Sequence, residues 1–332
     1  MDAITVKDLC KTYDGFTAVD HISFAVPEGE LFALLGPNGA GKTTTINMLA
    51  TLLKPTSGEA WVGGRSVSGD RDGVRRLIGI VFQEAALDNK LTGRENLEFH
   101  AMMYGIGRAE RLQRIAAVLE LVELADRADI LVEKYSGGMK RRLEIARGLI
   151  QRPKVLFLDE PTLGLDTQTR RRIWEYIRKL NSEGGVTIVL TTHYLEEADY
   201  LSRRVAIMDH GKFAAIDTPE RLKDGLGGDV VSLEVEPGPG CDGLVARLQA
   251  LPWVKSFKRH DCLLNLGMER GERRIPELVQ LAQGSGAAVH SVNLRKPSLE
   301  DVFLNFTGRT IREEEEGNGR PAPRRGGPHA RR

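Results

Sequence analysis

Cysteine is scarce in this 332-residue chain: three thiols, Cys10, Cys241 and Cys262, stand far apart. Their spacing fits neither a zinc knuckle nor a disulfide framework, so the fold has to rest on an apolar core. Long apolar runs are missing too. None approaches the roughly 18–20 residues that cross a bilayer as a helix, so a membrane role would have to come through a partner. The opening Met1-Asp2-Ala3-Ile4-Thr5 has neither a basic region nor an apolar stretch, which reads as no secretory leader and a cytoplasmic chain. Nor does one sign of charge dominate: 47 basic and 46 acidic residues leave a net charge of +1. That balance gives no long-range pull toward nucleic acid, which is not expected as a partner. What is present is a composition 41% hydrophobic and 28% charged, ordinary for a globular protein. The length suffices for one full-sized domain and a smaller one.

Alternating apolar residues fill the first thirty positions (Ile4, Val6, Leu9, Ile22, Phe24, Val26), and Pro27-Glu28-Gly29-Glu30 punctuates them. This predicts antiparallel β structure leading into the apolar strand Leu31-Phe32-Ala33-Leu34-Leu35. A glycine-rich loop follows, then a helix expected from Lys42 to Leu53. From about Gln83 to Ile150 the apolar spacing turns helical. Two further continuous apolar runs, Val155 to Leu158 and Val186 to Leu190, read as strands covered on both faces. Strand-loop-helix repetition of this kind indicates a parallel α/β core. Past Gly225-Leu226-Gly227-Gly228 the order becomes βαββαβ, with helices expected at Asp242–Leu251 and Ile275–Gln283, which suggests a small ferredoxin-like domain. Ser298-Leu299-Glu300-Asp301 opens a capped helix that Gly308 stops. From Glu313 onward the charged, Gly- and Pro-rich tail reads as disordered; its arginines are solvated or touch anionic lipid.

The chemistry concentrates in two segments. Gly36-Pro37-Asn38-Gly39-Ala40-Gly41-Lys42-Thr43 matches the P-loop pattern, between a buried strand and a helix. Its glycines let successive N–H groups point at phosphate oxygens, and the helix N-terminus adds its positive end. Lys42 supplies a charge to the β- and γ-phosphates, and Thr43 offers a hydroxyl to Mg²⁺, with Thr44 beside it. The strand Val155-Leu156-Phe157-Leu158 ends in Asp159-Glu160, whose side chains point to opposite sides of an extended chain. Asp159 can hold the Mg²⁺ shell, and Glu160 can polarise a water as general base.

Between these segments lies Tyr135-Ser136-Gly137-Gly138-Met139-Lys140-Arg141-Arg142. With it the chain resembles the nucleotide-binding subunits of ABC transporters, whose signature is a Ser-Gly-Gly core opening a helix. Ser136 with the N–H groups of Gly137 and Gly138 makes a second anion site. The resemblance implies that this site closes over ATP held by another subunit, in a head-to-tail homodimer with two shared sites. It also implies that Tyr13 stacks on adenine and that Gln83 reaches Mg²⁺ and the attacking water. Asp166 is matched to the aspartate loop across the dimer interface, and His193 to the switch histidine at the γ-phosphate. Tyr135 and Met139 replace the usual Leu and Gln, while Ser136, Gly137 and Gly138 carry the phosphate contact, so activity is expected to survive.

The implied fold is a P-loop NTPase of the ABC type: an antiparallel β subdomain, a parallel α/β core and a helical subdomain near 84–150. Its expected span is 1–225, with an accessory domain at 229–308 and a tail at 313–332. Val81-Phe82-Gln83, the signature segment and Lys296-Pro297-Ser298-Leu299-Glu300-Asp301-Val302-Phe303 are similar to the daunorubicin-resistance type of exporter ATPase. That implies a peripheral subunit at the cytoplasmic face of the membrane, driving a separate permease that exports a drug, antibiotic or other amphipathic compound. A single-cassette ATPase without a transport role is the alternative, and a non-hydrolysing clamp a third; Glu160 and His193 speak against the clamp. Because the core motifs are complete by His193, a chain ending near 228 is expected to fold, the extension tuning dimerisation or permease coupling, or serving only to pack.

Overall fold

The computed structural model describes residues 1–84 and 86–308, so the tail expected at 313–332 lies outside the described residues. β1 (Asp2–Tyr13) and β2 (Phe16–Pro27) form a hairpin whose Asp14-Gly15 turn has φ of 38° and 87°. Two left-handed residues are what a twist-matched two-residue turn needs. β3 (Leu31–Leu35) and α1 (Lys42–Leu49) follow, then β4 (Ser57–Val62) and β5 (Arg65–Ser66). α1 stops short of the expected Leu53, with Thr51 already left-handed at φ 63°. α2 (Arg71–Arg75) and β6 (Ile78–Val81) lead to the helices α3 (Gly93–Met103), α4 (Arg108–Leu121) and α5 (Gly137–Leu149). The core resumes with β7 (Val155–Asp159), α6 (Thr167–Gly184), β8 (Thr187–Thr192), α7 (Leu195–Leu201), β9 (Arg204–Asp209), β10 (Lys212–Asp217) and α8 (Pro219–Asp224).

Two sheets result. The first, β2-β1-β4-β5, is antiparallel; the second, β10-β9-β3-β8-β7-β6, is parallel except at its β9–β10 edge. The central strands show why their sequences run apolar without alternation. Leu31, Ala33 and Leu35 of β3 join one core with α5, α6 and α7, whereas Phe32 and Leu34 join another with α1 and the antiparallel sheet. Leu156 and Leu158 against Val155 and Phe157 divide β7 in the same way. Each buried side chain of this size contributes about 1.5–3 kcal/mol, and both faces of the sheet are covered.

β11 (Asp229–Val235), α9 (Pro239–Gln249), β12 (Val254–His260), β13 (Leu263–Met268), α10 (Gly271–Gly284) and β14 (Val289–Arg295) keep the βαββαβ order. Their antiparallel sheet is ordered β12-β13-β11-β14 over its own core, the ferredoxin-like arrangement. α11 (Leu299–Thr307) belongs elsewhere. A capping box between Ser298 and Asp301 starts it, and it packs on α7 and α8. Leu299, Val302 and Phe303 are buried in the core shared with β3, β7 and β8. α11 therefore completes a core built from residues between Leu31 and Leu226, which the motifs alone, all in place by His193, did not suggest.

Candidate functional site

The P-loop is shaped by close backbone approach. A Cβ on Gly36 would stand 2.2 Å from the Met208 carbonyl oxygen, and one on Gly41, at φ 104°, 2.4 Å from that of Ala18. Only glycine fits either place. Lys42, 6% exposed, folds back along the loop and donates to the Gly36 and Pro37 carbonyls at 2.7 and 3.0 Å. Ala40 is buried beneath the loop, its carbonyl accepting from Gly211 N at 3.0 Å.

Asp159 ends β7 and Glu160 follows it. The Thr43 hydroxyl donates to Asp159 Oδ1 at 3.0 Å, and that of Thr191 donates to the same oxygen at 2.5 Å. Glu160 N donates to Thr191 Oγ1 at 3.0 Å, so one threonine at the end of β8 locks both acidic residues. Glu160 sits at φ 47°, a left-handed conformation that costs a non-glycine residue about 1–3 kcal/mol and marks functional sites. His193 Nδ1 lies 2.9 Å from Glu160 Oε2. An ionised carboxylate only accepts, so the imidazole carries its proton on Nδ1.

Lys42 Nζ lies 3.3 Å from Glu160 Oε1, both side chains being 5% exposed. This is an ion-pair contact; among the described residues no donor completes a hydrogen bond to the buried Oε1. Burial alone would raise the Glu160 carboxyl, but the His193 hydrogen bond and the Lys42 charge outweigh it and hold the group below its ordinary 4.5. A carboxylate that is ionised at neutral pH and desolvated is equipped to take a proton from water.

A cavity of about 270 Å³ opens over these groups, lined by Tyr13, Phe16, Ala18, Gln83, Glu160 and the P-loop from Asn38 to Thr44 apart from Ala40. Tyr13 and Phe16 are 44% and 64% exposed, flanking the hairpin turn, and Lys11 Nζ sits 4.9 Å over the Tyr13 ring. The structure thus brings Tyr13, Asn38, Gly39, Gly41, Lys42, Thr43, Thr44, Gln83 and Glu160 to one cavity, with Asp159 and His193 hydrogen-bonded to it. Ser136, Gly137, Gly138 and Asp166 do not line it. Ser136 is exposed and caps α5, accepting from Met139 N at 3.3 Å. Asp166 caps α6, accepting from Thr169 N and Oγ1 at 2.9 and 2.7 Å. A Cβ on Gly138 would meet Thr169 at 2.4 Å, so the signature and the Asp166 loop form one exposed surface.

Other groups had no role, or no structural account, in the sequence reading. Tyr135 is buried, its hydroxyl donating to the Arg127 carbonyl at 2.7 Å over Gly93, which accommodates a larger residue where the usual Leu would stand. Phe16 was visible only as the aromatic across the turn from Tyr13. The only signal of Thr191 was that of a polar residue ending an apolar run. Glu197, fully buried in α7, accepts from Thr162 Oγ1 and Trp174 Nε1 at 2.8 and 2.7 Å, and its Oε2 has no hydrogen-bond partner among the described residues. Burial raises its carboxyl above the ordinary 4.5, against the hydrogen bonds that lower it. Its signal was the fourth position after His193 on a helix.

Comparison with known proteins gives the family. The family described as ABC transporter matches residues 19–163, and the ATP-binding protein DrrA1-3-like C-terminal domain matches 218–307. The linearmycin resistance ATP-binding protein LnrL of Bacillus subtilis is 40% identical over 312 residues, covering 93% of this chain and 100% of the relative. The daunorubicin resistance ATP-binding protein DrrA2 of Streptomyces coeruleorubidus is 41% identical over 309 residues, covering 92% and 95%. A dimeric structure of a post-hydrolysis state of the ATP-binding cassette MJ0796, bound to ADP and Pi, superposes with a TM-score of 0.58 at 31% identity. It covers 65% of this chain and 98% of that one. At these identities and over nearly the whole of both chains, the chain belongs to the ABC transporter family of ATP-binding ATPase subunits.

Proposed function

We propose that this chain is the ATP-hydrolysing subunit of an exporter, that two copies close head to tail over two ATP molecules, and that they drive a separate membrane permease from the cytoplasmic face. Subunits of this family dimerise and work with transmembrane partners. Among the described residues no helix is long and apolar enough to cross a membrane. The observation that carries the reading is the buried Glu160 carboxylate, its Oε1 facing the P-loop lysine at 3.3 Å in an ion pair and completing no hydrogen bond among the described residues.

Glu160 accepts the proton of the attacking water, and His193 fixes the carboxylate through Oε2 so that Oε1 faces the cavity. Lys42 exchanges its carbonyl partners for phosphate oxygens. Tyr13 and Phe16 offer ring faces to the base. Ser136 and the N–H groups of Gly137 and Gly138 serve the ATP of the other copy, with Asp166 beside them. Among the described residues no cluster of three His, Cys, Asp or Glu forms a metal cage. Thr43 and Asp159 present two oxygens next to the P-loop, with Gln83 at the cavity wall, which fits Mg²⁺, a cation that keeps waters and phosphate oxygens in its shell. When bound it would supply charge neutralisation at the phosphates. The accessory part, 229–295, adds to the ATP-binding domain of 1–225, with α11 returned to that domain. Relatives named for resistance to linearmycin and daunorubicin point to an antibiotic or another amphipathic compound as cargo.

Complementation tests the shared site. Ser136→Arg blocks closure and Lys42→Ala removes the phosphate contact, so each homodimer has two broken sites. Mixed dimers combine one intact P-loop with one intact signature and should trap ADP with vanadate. Subunit exchange is verified by pulling down differently tagged chains. Verified heterodimers that trap no more nucleotide than either parent would refute the head-to-tail arrangement.

A further inference from the structure

Arg141 lies one turn into α5, buried, with no assigned role. Its guanidinium makes five hydrogen bonds, as many as it has N–H donors. Nε donates to the Pro161 carbonyl at 2.7 Å, and Nη2 to those of Asp159 and Glu160 at 3.0 and 3.2 Å. Nη1 donates to the Phe82 carbonyl at 2.6 Å and to Glu144 Oε2 at 2.9 Å. Three consecutive carbonyls thus converge on one cation around the left-handed turn at Glu160, and a fourth comes from the residue before Gln83. Glu144, 3% exposed, neutralises that cation, and its Oε1 accepts from Ala86 N at 2.8 Å. Arg147 donates to the Ala86 carbonyl. One face of α5 therefore holds both the segment after Gln83 and the peptides that carry the catalytic carboxylate.

A merely structural ion pair would not need this acceptor set. Burying a charged pair is close to neutral for stability against apolar residues of the same volume. What a planar guanidinium provides is simultaneous fixed contact with several carbonyls, which the three rotating donors of lysine cannot reproduce. We propose that Arg141 is a positioning residue for ATP hydrolysis. It holds the Glu160 peptide in its left-handed conformation and joins it to the Gln83 loop, so that α5 and the general base of one chain move together. Given the head-to-tail reading above, on which this consequence rests, Ser136 at the start of α5 meets one ATP while Glu160 of the same chain serves the other. Arg141 is then a physical link between the two sites of the dimer.

The test compares full-length Arg141→Lys, Glu160→Gln and the double variant in single-turnover hydrolysis, nucleotide affinity and melting temperature. Arg141→Lys should lower the hydrolysis rate about 100-fold, the loss expected of a misplaced reacting group, with ATP affinity within about threefold. In the Glu160→Gln background the same change should lower the residual rate no further, because Arg141 acts through Glu160. Arg141→Lys hydrolysing within about twofold of the unmodified protein, or an equal loss in both backgrounds, would overturn the proposal. If Arg141→Lys does not fold, Glu144→Gln carries the test, since its amide nitrogen must face one of two donors, Ala86 N or Arg141 Nη1. A fall of about tenfold in rate at unchanged affinity is expected, and an unchanged rate overturns the proposal. Normal turnover by Glu160→Gln would instead sink the assignment of the base, a separate result from failure at Arg141.

Discussion

Replacing Glu160 by Gln changes one atom in a site whose hydrogen bonds dictate where the new group goes. His193 Nδ1–H needs an acceptor at 2.9 Å, so the amide oxygen takes the place of Oε2. The amide nitrogen then occupies the Oε1 position, 3.3 Å from the Lys42 ammonium, where two donors face each other and no acceptor is left for water. Loss of a general base costs about 10²–10⁴ in rate, roughly 3–5 kcal/mol on the barrier. Nucleotide binding should move the other way. Lys42 loses its competing carboxylate, so ATP affinity stays equal or rises severalfold, and an ATP-bound dimer accumulates that size-exclusion chromatography resolves. In the unmodified protein burial opposes ionisation of Glu160, but His193 and Lys42 outweigh it and hold the carboxyl below 4.5. The carboxylate therefore contributes stability that is present above 4.5 and lost as pH falls through its lower folded value. Hydrolysis should accordingly show no acid limb from this group above pH 4.5. Single-turnover assays across pH decide the matter. Glu160→Gln turning over at the normal rate, or losing ATP affinity about 100-fold, would refute the reasoning.

Glu197 gives a contrast between two substitutions: Glu197→Gln, which keeps an oxygen for Thr162 and Trp174, should stay within about 1 kcal/mol, whereas Glu197→Ala should lose about 2–3 kcal/mol by orphaning two buried donors. Urea midpoints would show it, and equal loss in both would contradict that account. A chain cut after Gly228 removes Leu299, Val302 and Phe303 from the central core, at about 1.5–3 kcal/mol each, a large share of the 5–15 kcal/mol of a typical domain. It should be insoluble or melt far lower, and Phe303→Ala alone should cost about 3–5 kcal/mol; a cut chain as stable as the whole would show that α11 does not support the core.

Much of this was legible because the chemistry is written in local patterns. The P-loop, Asp159-Glu160 and the signature carry their meaning in adjacent residues, and the buried strands announce themselves as apolar runs because both of their faces are covered. β6 left no such trace, being four residues long, too short for any period to register. α11 looked like the end of an accessory domain because its capping box and apolar face are local facts, whereas the partner of that face, α7 and α8, is set by tertiary packing. Arg141 was hidden for the same reason. In sequence it is one arginine of a basic run, Lys140-Arg141-Arg142, with nothing local to set it apart from its neighbours. Only the fold separates them: Arg142 reaches the Val122 carbonyl at 3.1 Å on the flank of α4, while Arg141 is turned inward onto the strand end.

The sheet explains why residues so far apart in the chain meet. Its order places β6, β7, β8 and β3 side by side and parallel, so their carboxyl ends lie along one edge. Gln83 follows β6, Asp159 and Glu160 close β7, Thr191 and Thr192 end β8 just before His193, and the P-loop follows β3. Ligand sites of parallel α/β sheets form at that edge because helices cover both faces and only the strand ends remain open. Under the proposed function each strand end delivers one component: Gln83, the metal and base carboxylates, the histidine that orients the base, and the phosphate cradle. α5 follows none of these strands; it reaches the site from the helical region, through Arg141, Glu144 and Arg147. The hydrogen bonds of Arg141 to the carbonyls of Phe82, Asp159, Glu160 and Pro161 tie α5 directly to that edge, which is why the proposed coupling runs through this helix and not through a strand.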